Sequence, residues 1–262
     1  LVDLRPLSGN LADVAVLLAL TNPGDRVAIT GPEDGGHANY AVKNGLCPSL
    51  ARRYLHLPYD AEEVNIDSDA ALKLVEENQP RLIILGASQM LFPQPVRELS
   101  DAARSVGAMT AYDAAHVLGL IAGRLFQDPL REGADVMMAS THKSFPGPQG
   151  GIILSNNEEV FDRVSRVVYP VLQDNVHYHR VYAMALALSE MEVFAEAYAK
   201  QVVSNARALA SSLHSRGLRV LGEKRGFTAS HIVRVDVSAL GGCERCLSLL
   251  EEANIVASPS PL

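Results

Sequence analysis

The chain contains no tryptophan, 5% aromatic residues and only three cysteines among its 262 residues. Three cysteines cannot build a framework of several disulfides, so a small cystine-stapled fold is excluded. Cys243 and Cys246 form a C-x-x-C pair, but no second Cys/His pair stands at zinc-finger spacing and no thioredoxin-like context precedes them. We interpret both as ordinary positions of a helix and expect no metal site.

Long hydrophobic runs and clusters of positive charge are also missing. No apolar stretch reaches the roughly 18 residues of a membrane-spanning helix, and the opening LVDLRPLSGN lacks the basic start and apolar middle of a signal peptide. The net charge is -7, and the basic residues are scattered along the chain. We therefore expect a cytoplasmic protein whose partners are small molecules, with no nucleic acid and no membrane among them.

Short apolar runs alternate with longer helical patterns along the chain. The runs DRVAIT (25–30), RLIILGAS (81–88), AMTAYDAAH (108–116), ADVMMAS (134–140) and GGIILS (150–155) predict strands. Patterns such as DAALKLVEENQ and PVRELSDAARSVG between them predict helices. This alternation indicates an α/β fold with a mainly parallel sheet flanked by helices.

The C-terminal part has a different pattern. Residues 177–214 are rich in Ala, Leu and Glu and predict one long helix. HIVRVDVS then predicts a strand, and CERCLSLLEEANIVAS predicts a helix followed by another strand. We therefore predict a large ligand-binding domain over residues 1–204 and the start of a small α+β domain over residues 205–262.

Polar residues follow three of the predicted strands. Since ligands bind beyond the carboxyl ends of parallel strands, these residues are candidates for a site: Ser88, Asp113, His116, Ser140, Thr141, His142 and Lys143. A carboxylate and a lysine at successive strand ends fit pyridoxal phosphate, because the amine forms a Schiff base while the acid keeps the pyridine nitrogen protonated. Alone, Asp113 could equally be a helix-capping acid and Lys143 a surface lysine.

Two further segments could complete such a site. Ser8, Gly9 and Asn10 precede an apolar helical pattern, and the free N–H groups of a helix start attract a phosphate, although a plain helix cap has the same appearance. In DGGHANY, two glycines permit a sharp turn that presents His37, whose imidazole could stack on a ring or move protons. A packed or surface histidine is the simpler alternative for His37.

Five segments, in order, resemble the serine hydroxymethyltransferases, which are fold-type I pyridoxal phosphate enzymes: PLSGNLADVAVLLALTNPGDRV, GGHANY, YDAAHVLGLIAG, ADVMMASTHKSFPGPQGGIIL and TASHIVRVDV. The resemblance implies Lys143 as the Schiff-base lysine, Asp113 as the partner of the pyridine nitrogen and His37 as the residue stacked on the ring. It further implies phosphate binding by Ser8, Gly9 and Asn10, cofactor contacts by Ser88, His116 and Ser140, and tuning of proton transfer by Thr141 and His142.

The reaction implied by the resemblance is retro-aldol cleavage or formation of the Cα–Cβ bond of a β-hydroxy amino acid, carried out by a homodimer. Several positions depart from the family pattern. Asn10 replaces a serine, Gln149 replaces an arginine, and Asp174 and Asn175 replace a glycine pair near the partner subunit. Ala38 stands where the family places a leucine against the folate pterin, which leaves tetrahydrofolate open as a co-substrate.

Two alternatives therefore stay beside the hydroxymethyltransferase reading. The first is a folate-independent threonine aldolase or transaldolase, which uses the same glycine carbanion with an aldehyde acceptor. The second is a non-catalytic subunit or fragment that keeps the fold, because the resemblance places a substrate-binding amino-terminal arm before Leu1 and a carboxylate-binding arginine after IVASPSPL.

Overall fold

The computed structural model describes residues 1–260, whose largest feature is a seven-stranded sheet covered by helices on both faces. The strands are β1 (Val2–Asp3), β2 (Arg26–Ile29), β3 (Arg53–His56), β4 (Tyr59–Asp60), β5 (Asn65–Ile66), β6 (Leu82–Leu85), β7 (Met109–Asp113), β8 (Val136–Ser140), β9 (Gly151–Leu154), β10 (Arg219–Val220) and β11 (Val235–Asp236). The helices are α1 (Gly9–Leu20), α2 (Ala38–Ala41), α3 (Leu46–Ser49), α4 (Ser68–Asn78), α5 (Val96–Ser105), α6 (Leu118–Ala122), α7 (Pro129–Glu132), α8 (Glu158–Arg166), α9 (Tyr178–Ser215) and α10 (Cys243–Glu252). Short 3-10 turns lie at Pro32–Asp34, Glu223–Arg225 and Ser238–Leu240, and a π-type turn lies at Val167–Leu172.

The large sheet has the strand order β1-β9-β8-β7-β6-β2-β3. Strands β8, β7, β6, β2 and β3 are parallel neighbours, whereas β9 and β1 are antiparallel additions at one edge. The predicted mainly parallel sheet and all five predicted strands are confirmed. Sequence reasoning missed β1, which has only two residues, and β3, whose Arg53 and Tyr54 are exposed at the other edge. Neither segment shows the apolar run of a buried strand.

The core lies in two layers, one on each face of the sheet. Along β6, Leu82 and Ile84 pack on the side of α1 and α8, while Ile83 and Leu85 pack on the side of α4, α5 and α9. Successive residues of a strand point to opposite faces, so a continuous apolar run serves both layers. The chain is therefore a three-layer α/β structure whose central strand ends meet at one edge.

Helix α1 begins where the sequence provides a cap. Ser8 has extended backbone angles, and its hydroxyl accepts a hydrogen bond from the Leu11 N–H at 3.1 Å. Apolar residues continue to Leu20, after which Thr21 leaves the helical conformation and Pro23 follows. Because α1 packs against β8 and β9, its amino end is fixed at the carboxyl edge of the sheet.

Helix α9 runs without interruption for 38 residues, in agreement with the predicted long helix. Its buried side carries Met184, Ala187, Met191, Ala195 and Ala199 against the sheet layer. The predicted domain boundary near residue 205 falls inside this helix, and the division into two domains stays a prediction. No helix within residues 1–260 is long and apolar enough to cross a membrane.

The part after α9 is smaller and more exposed. Strand β11, within the predicted HIVRVDVS strand, pairs antiparallel with β10, and α10 confirms the predicted helix with its two cysteines unpaired. The strand predicted over IVAS is wrong, since residues 255–258 are not in a strand and Val256 is 94% exposed. β-branched residues form a strand only where a neighbouring strand pairs with them, and β10–β11 forms a sheet of two strands.

Candidate active site

The ends of β7 and β8, the loop after β6 and the amino end of α1 surround a cavity of about 170 Å³. It is lined by Ser8, Gly9, Asn10, Asp13, His37, Ser88, Asp113, Ala115, His116, Ser140, His142, Lys143 and Gln149. The structure thus brings together every site residue predicted from the sequence except Thr141. Ligand binding at this edge is the usual arrangement for a parallel α/β sheet.

Asp113 is the last residue of β7 and is 7% exposed. Its Oδ1 accepts a hydrogen bond from the Ala115 N–H at 2.9 Å. Burial raises the pKa of Asp113, while this hydrogen bond and the nearby His37 and Lys143 act in the opposite direction. The result is a carboxyl group in a desolvated site with a cationic amine near it.

Lys143 and His116 meet at the mouth of the cavity. Lys143 Nζ lies 3.0 Å from His116 Nε2, and the lysine is exposed while the histidine is half-buried. Burial, followed by the charge of Lys143, lowers the pKa of His116 to about 3. The imidazole is therefore neutral near pH 7, and its Nε2 can accept a hydrogen bond from Lys143 Nζ.

The amino end of α1 supplies the anion-binding part of the cavity. Gly9 and Asn10 are the first two residues of the helix, where backbone N–H groups have no partner within the helix. Gly9 also lets the helix approach β8 closely, because a Cβ at this position would lie 2.3 Å from Ser140 Oγ. A phosphate bound here would lie close to the strand end that precedes Lys143.

His37 enters the cavity from a turn that glycine makes possible. Gly35 has a φ of 88°, which side chains other than glycine rarely adopt, so the predicted sharp turn is present. Burial lowers the pKa of His37, and its Nδ1 is buried without a hydrogen-bond partner within residues 1–260. An unsatisfied polar atom of this kind at a cavity wall is typical of a ligand-binding position.

The residues around the lysine have different placements. His142 lines the cavity and its Nδ1 accepts a hydrogen bond from the Gly150 N–H at 3.2 Å. Thr141 is 1% exposed, and its hydroxyl donates to the Pro148 carbonyl at 2.6 Å. Thr141 therefore holds the loop after β8 in place rather than facing the cavity.

Sequence reasoning missed Asp13. This acid lies on the buried face of α1, is 4% exposed and lines the cavity floor. Burial and the nearby Asp113 raise the pKa of Asp13 well above its ordinary value. The signal was present in the sequence, because Asp13 shares the helical face of Val16, Leu17 and Leu20, where a charged residue is out of place.

Gln149, the position that departs from the family pattern, lines the cavity on the side of α9. The Arg180 Nε donates a hydrogen bond to the Gln149 carbonyl at 2.8 Å, and the guanidinium packs against Gly150. Burial lowers the pKa of Arg180 from its ordinary value. A positive charge therefore lies beside this turn even though residue 149 carries none.

Comparison with known proteins agrees with this geometry. The sequence profile of the serine hydroxymethyltransferase family matches residues 1–260. The chain belongs to the serine hydroxymethyltransferase family. The serine hydroxymethyltransferase of Korarchaeum cryptofilum is 50% identical over 265 residues, covering 98% of this chain and 61% of that protein. The corresponding protein of Aeropyrum pernix is 46% identical over 262 residues, covering 100% of this chain and 60% of that protein.

The structure also resembles a solved member of the wider fold. A crystal structure of L-threonine transaldolase from Pseudomonas fluorescens, in its internal aldimine state, superimposes with a TM-score of 0.90. The two sequences are 35% identical, and the alignment covers 100% of this chain and 59% of the transaldolase. This chain thus spans about 60% of the length of its serine hydroxymethyltransferase relatives. Its fold is the α/β fold of fold-type I pyridoxal phosphate enzymes, as expected from the resemblance.

The cavity chemistry suits the cofactor of that fold. The free N–H groups at the start of α1 can bind a phosphate. The buried acid Asp113 lines the cavity, and the amine of Lys143 lies at the cavity mouth. The unpartnered His37 Nδ1 offers one more polar contact. Ser8, Gly9, Asn10, His37, Asp113 and Lys143 are therefore the residues that could hold pyridoxal phosphate.

Proposed function

We propose that this chain carries the pyridoxal phosphate site of a serine hydroxymethyltransferase-type enzyme. The observation that carries the proposal is the arrangement of Asp113, Lys143 and the amino end of α1 around one cavity. Bound pyridoxal phosphate would supply an aldehyde for amines and a protonated ring that accepts the electrons of a breaking Cα–Cβ bond. Its substrate would be a β-hydroxy amino acid, cleaved to glycine and an aldehyde equivalent.

Each residue has a role that follows from its surroundings. Asp113, buried at the end of β7, would hold a proton on the ring nitrogen by its negative charge. Lys143, which is exposed, would form and release the covalent bond to the cofactor. His116 stays neutral at pH 7, and its Nε2 would accept a hydrogen bond from Lys143 Nζ, which would orient the amine in the cavity.

Folate-dependent serine cleavage is the first reading, supported by the family and by the archaeal relatives. A folate-independent threonine aldolase or transaldolase is the second, supported by the similarity to the Pseudomonas transaldolase. Ala38 at the exposed edge of the GGHANY turn favours the second, because it presents less apolar surface to a pterin than leucine would.

Absorption spectroscopy tests the shared part of both readings. The purified chain is mixed with pyridoxal phosphate and divided: one portion is titrated with glycine, and a glycine-free portion is reduced with borohydride and digested. We expect a visible band that shifts with glycine and a reduced cofactor attached to Lys143 alone. If no band forms, the non-catalytic reading of the chain replaces the enzyme reading.

Rates with serine and threonine then separate the two readings. The hydroxymethyltransferase reading predicts that tetrahydrofolate binds and accelerates serine cleavage. It is wrong if tetrahydrofolate neither binds nor changes the serine rate. Folate-independent exchange of threonine with an added aldehyde would support the transaldolase reading instead.

A homodimer is the proposed assembly, and the outer face of α9 supports it. Tyr178, Tyr182, Leu186 and Val193 are 65%, 73%, 65% and 72% exposed and lie on one side of the helix, opposite its buried residues. At 100° per residue they fall within an arc of roughly 80°. An exposed apolar stripe of this kind is typical of a helix surface that packs against protein.

Sedimentation velocity tests this assembly. Tyr182→Glu and Leu186→Glu place charges in the stripe and should convert a dimer to a monomer. Leu249→Glu, which changes a residue of α10 that is 54% exposed, serves as the matched control and should remain dimeric. A wild-type monomer at micromolar concentration would contradict the proposal.

A further inference from the structure

Asp13 is a carboxylic acid on the buried face of an apolar helix. Its Oδ1 has no contact with solvent and no hydrogen-bond partner within residues 1–260. Its neighbours on that face are Ala12, Val16 and Leu17, none of which has a polar side chain. A carboxylate buried without donors is so unfavourable that the group takes up a proton instead.

Four ionisable groups face Asp13: Asp113 from β7, Tyr40 from α2, His37 at the start of α2 and Lys143 from the loop after β8. Polar atoms of Asp13, His37 and Asp113 all lie within 4.8 Å of one another. Two carboxyl groups this close in a desolvated site do not both ionise at neutral pH, because each charge disfavours the other. One of the two acids therefore holds a proton.

The surroundings decide which acid that is. Asp113 accepts the Ala115 N–H at 2.9 Å, and such a bond stabilises the ionised form. The Tyr40 hydroxyl is close enough to influence Asp13, but neither it nor Asp13 Oδ1 has a hydrogen bond of ordinary geometry. We propose that Asp13 carries the proton in the folded protein, which leaves the single negative charge of the pair on Asp113.

The direction of the pKa shifts agrees with this assignment. Burial and Asp113 raise the pKa of Asp13 well above its ordinary value, with Tyr40 and Lys143 acting in the opposite direction. The pKa of Asp113 is also raised, but its Ala115 hydrogen bond, His37 and Lys143 oppose the shift. Three groups therefore stabilise ionised Asp113, against two that stabilise ionised Asp13. Asp113 is accordingly the better candidate for the ionised member of the pair.

The consequence for the site rests on the proposed cofactor. Asp13 would act through Asp113 as a positioning residue: a neutral neighbour keeps the buried charge of Asp113 directed at the ring nitrogen, whereas a second anion would compete for the same proton. The Asp13, His37 and Asp113 atoms also have a spacing that could hold a metal ion, but this location coincides with the proposed ring site.

Unfolding of the full chain without added cofactor tests the proton on Asp13 directly. Urea unfolding is measured from pH 3 to 8 in EDTA for wild type, Asp13→Asn, Asp13→Ser, Asp113→Asn and Asp162→Asn. Because the two acids share one proton, Asp113→Asn separates them: it keeps the loss of stability with rising pH if Asp13 holds the proton and loses it if Asp113 does. Asp162 is an exposed acid of α8, and its variant measures what loss of one surface carboxylate does. A second neutral variant at position 13 keeps the test valid if one of them folds poorly.

The sign follows from linkage. Wild type should lose stability relative to Asp13→Asn as the pH rises from about 3.9, where the unfolded Asp13 ionises, through its raised folded pKa. At pH 7 the folding constant of the variant should gain about tenfold over wild type for each unit of that rise. The proposal is overturned if the stability difference between Asp13→Asn and wild type changes with pH no more than the difference for Asp162→Asn does. It is also overturned if wild type gains stability over Asp13→Asn as the pH rises.

The ring nitrogen provides the second readout. With cofactor labelled at that nitrogen, its ¹⁵N chemical shift should report a protonated ring in wild type and in Asp13→Asn, and an unprotonated ring in Asp113→Asn. Loss of ring protonation in Asp13→Asn means that Asp13 held the charge, which overturns the proposal. If no cofactor binds, the proposed function fails, while the unfolding result still decides the state of Asp13.

Discussion

The neighbouring strands β7 and β8 end at the same edge of the sheet, yet they deliver groups of opposite character. Strand β7 ends in Asp113, a buried acid fixed by a backbone hydrogen bond. Strand β8 ends in Ser140, three residues before Lys143, whose amine is exposed. A group that acts by its electric field gains from burial and rigidity, whereas a group that forms and breaks a bond must be free to move. The burial of Asp113 and the exposure of Lys143 fit the roles proposed for them.

Replacement of Lys143, the exposed group, should have the largest effect on activity. Lys143→Ala removes the only amine that lines the cavity within residues 1–260. We expect activity to fall by ~10³-fold or more, since the variant lacks the proposed covalent partner of the cofactor. Mass spectrometry after borohydride reduction should find no cofactor attached to the chain.

Lys200→Ala is the matched control for this prediction. Lys200 is exposed on α9, pairs with Glu196 and does not line the cavity. This variant should keep full activity and cofactor attachment. Attachment that persists in Lys143→Ala would show that another amine does the work.

Replacement of Asp113, the buried group, should reduce activity less than replacement of Lys143 does. Asp113→Asn keeps the shape and the contact with the Ala115 N–H but removes the negative charge. We expect the cofactor still to bind and the rate of Cα–Cβ cleavage to fall about 10²–10³-fold. Stopped-flow absorption measures both quantities, and an unchanged cleavage rate would contradict the role of the buried charge.

The neutral His116 should make the stability of the protein depend on pH. The pKa of His116 is lowered to about 3, so the unfolded chain binds a proton below pH ~6.5 that the folded chain does not. Wild type should therefore lose up to about 4 kcal/mol of stability at His116 as the pH falls from 6.5 towards 3. Lys143, His37 and His231 face His116 and remain in every variant.

Urea unfolding of His116→Asn and His116→Gln measures that contribution. Both variants should show a smaller loss of stability on acidification than wild type. Equal slopes in all three proteins would mean that His116 has the same pKa in the folded and unfolded chains, which contradicts the prediction.

A change at the contact between α1 and β8 should have the smallest effect on stability. Gly9→Ala places a methyl group 2.3 Å from Ser140 Oγ, which we expect to cost about 1–3 kcal/mol of unfolding free energy. Because the helix start would shift away from the strand, the affinity for inorganic phosphate should fall as well. Ser140→Ala in the same chain removes the atom that clashes and should restore part of the stability, as measured by urea unfolding.

The sequence predicted the central strands and most of the cavity lining because both depend on local patterns. Apolar runs mark β6, β7 and β8, and the polar residues that follow them had to meet at one edge. Two features depended on long-range contacts instead. The Thr141 side chain is buried away from the cavity because its hydroxyl donates a hydrogen bond to the Pro148 carbonyl. Asp13 lines the cavity because α1 packs against β7 and β8. The strand predicted over IVAS was wrong for the same reason, because a strand forms only where a distant strand pairs with it.

The continuity of α9 has a consequence for how the chain unfolds. At 1.5 Å per residue, its 38 residues span roughly 57 Å. Near its start, Arg180 binds the Gln149 carbonyl beside the cavity, and near its end, Arg207 donates to the Thr228 carbonyl at 2.8 Å. One uninterrupted helix therefore joins the sheet to the segment after residue 215. Melting of either part removes contacts from the other, so we expect the whole chain to lose its structure in a single cooperative transition.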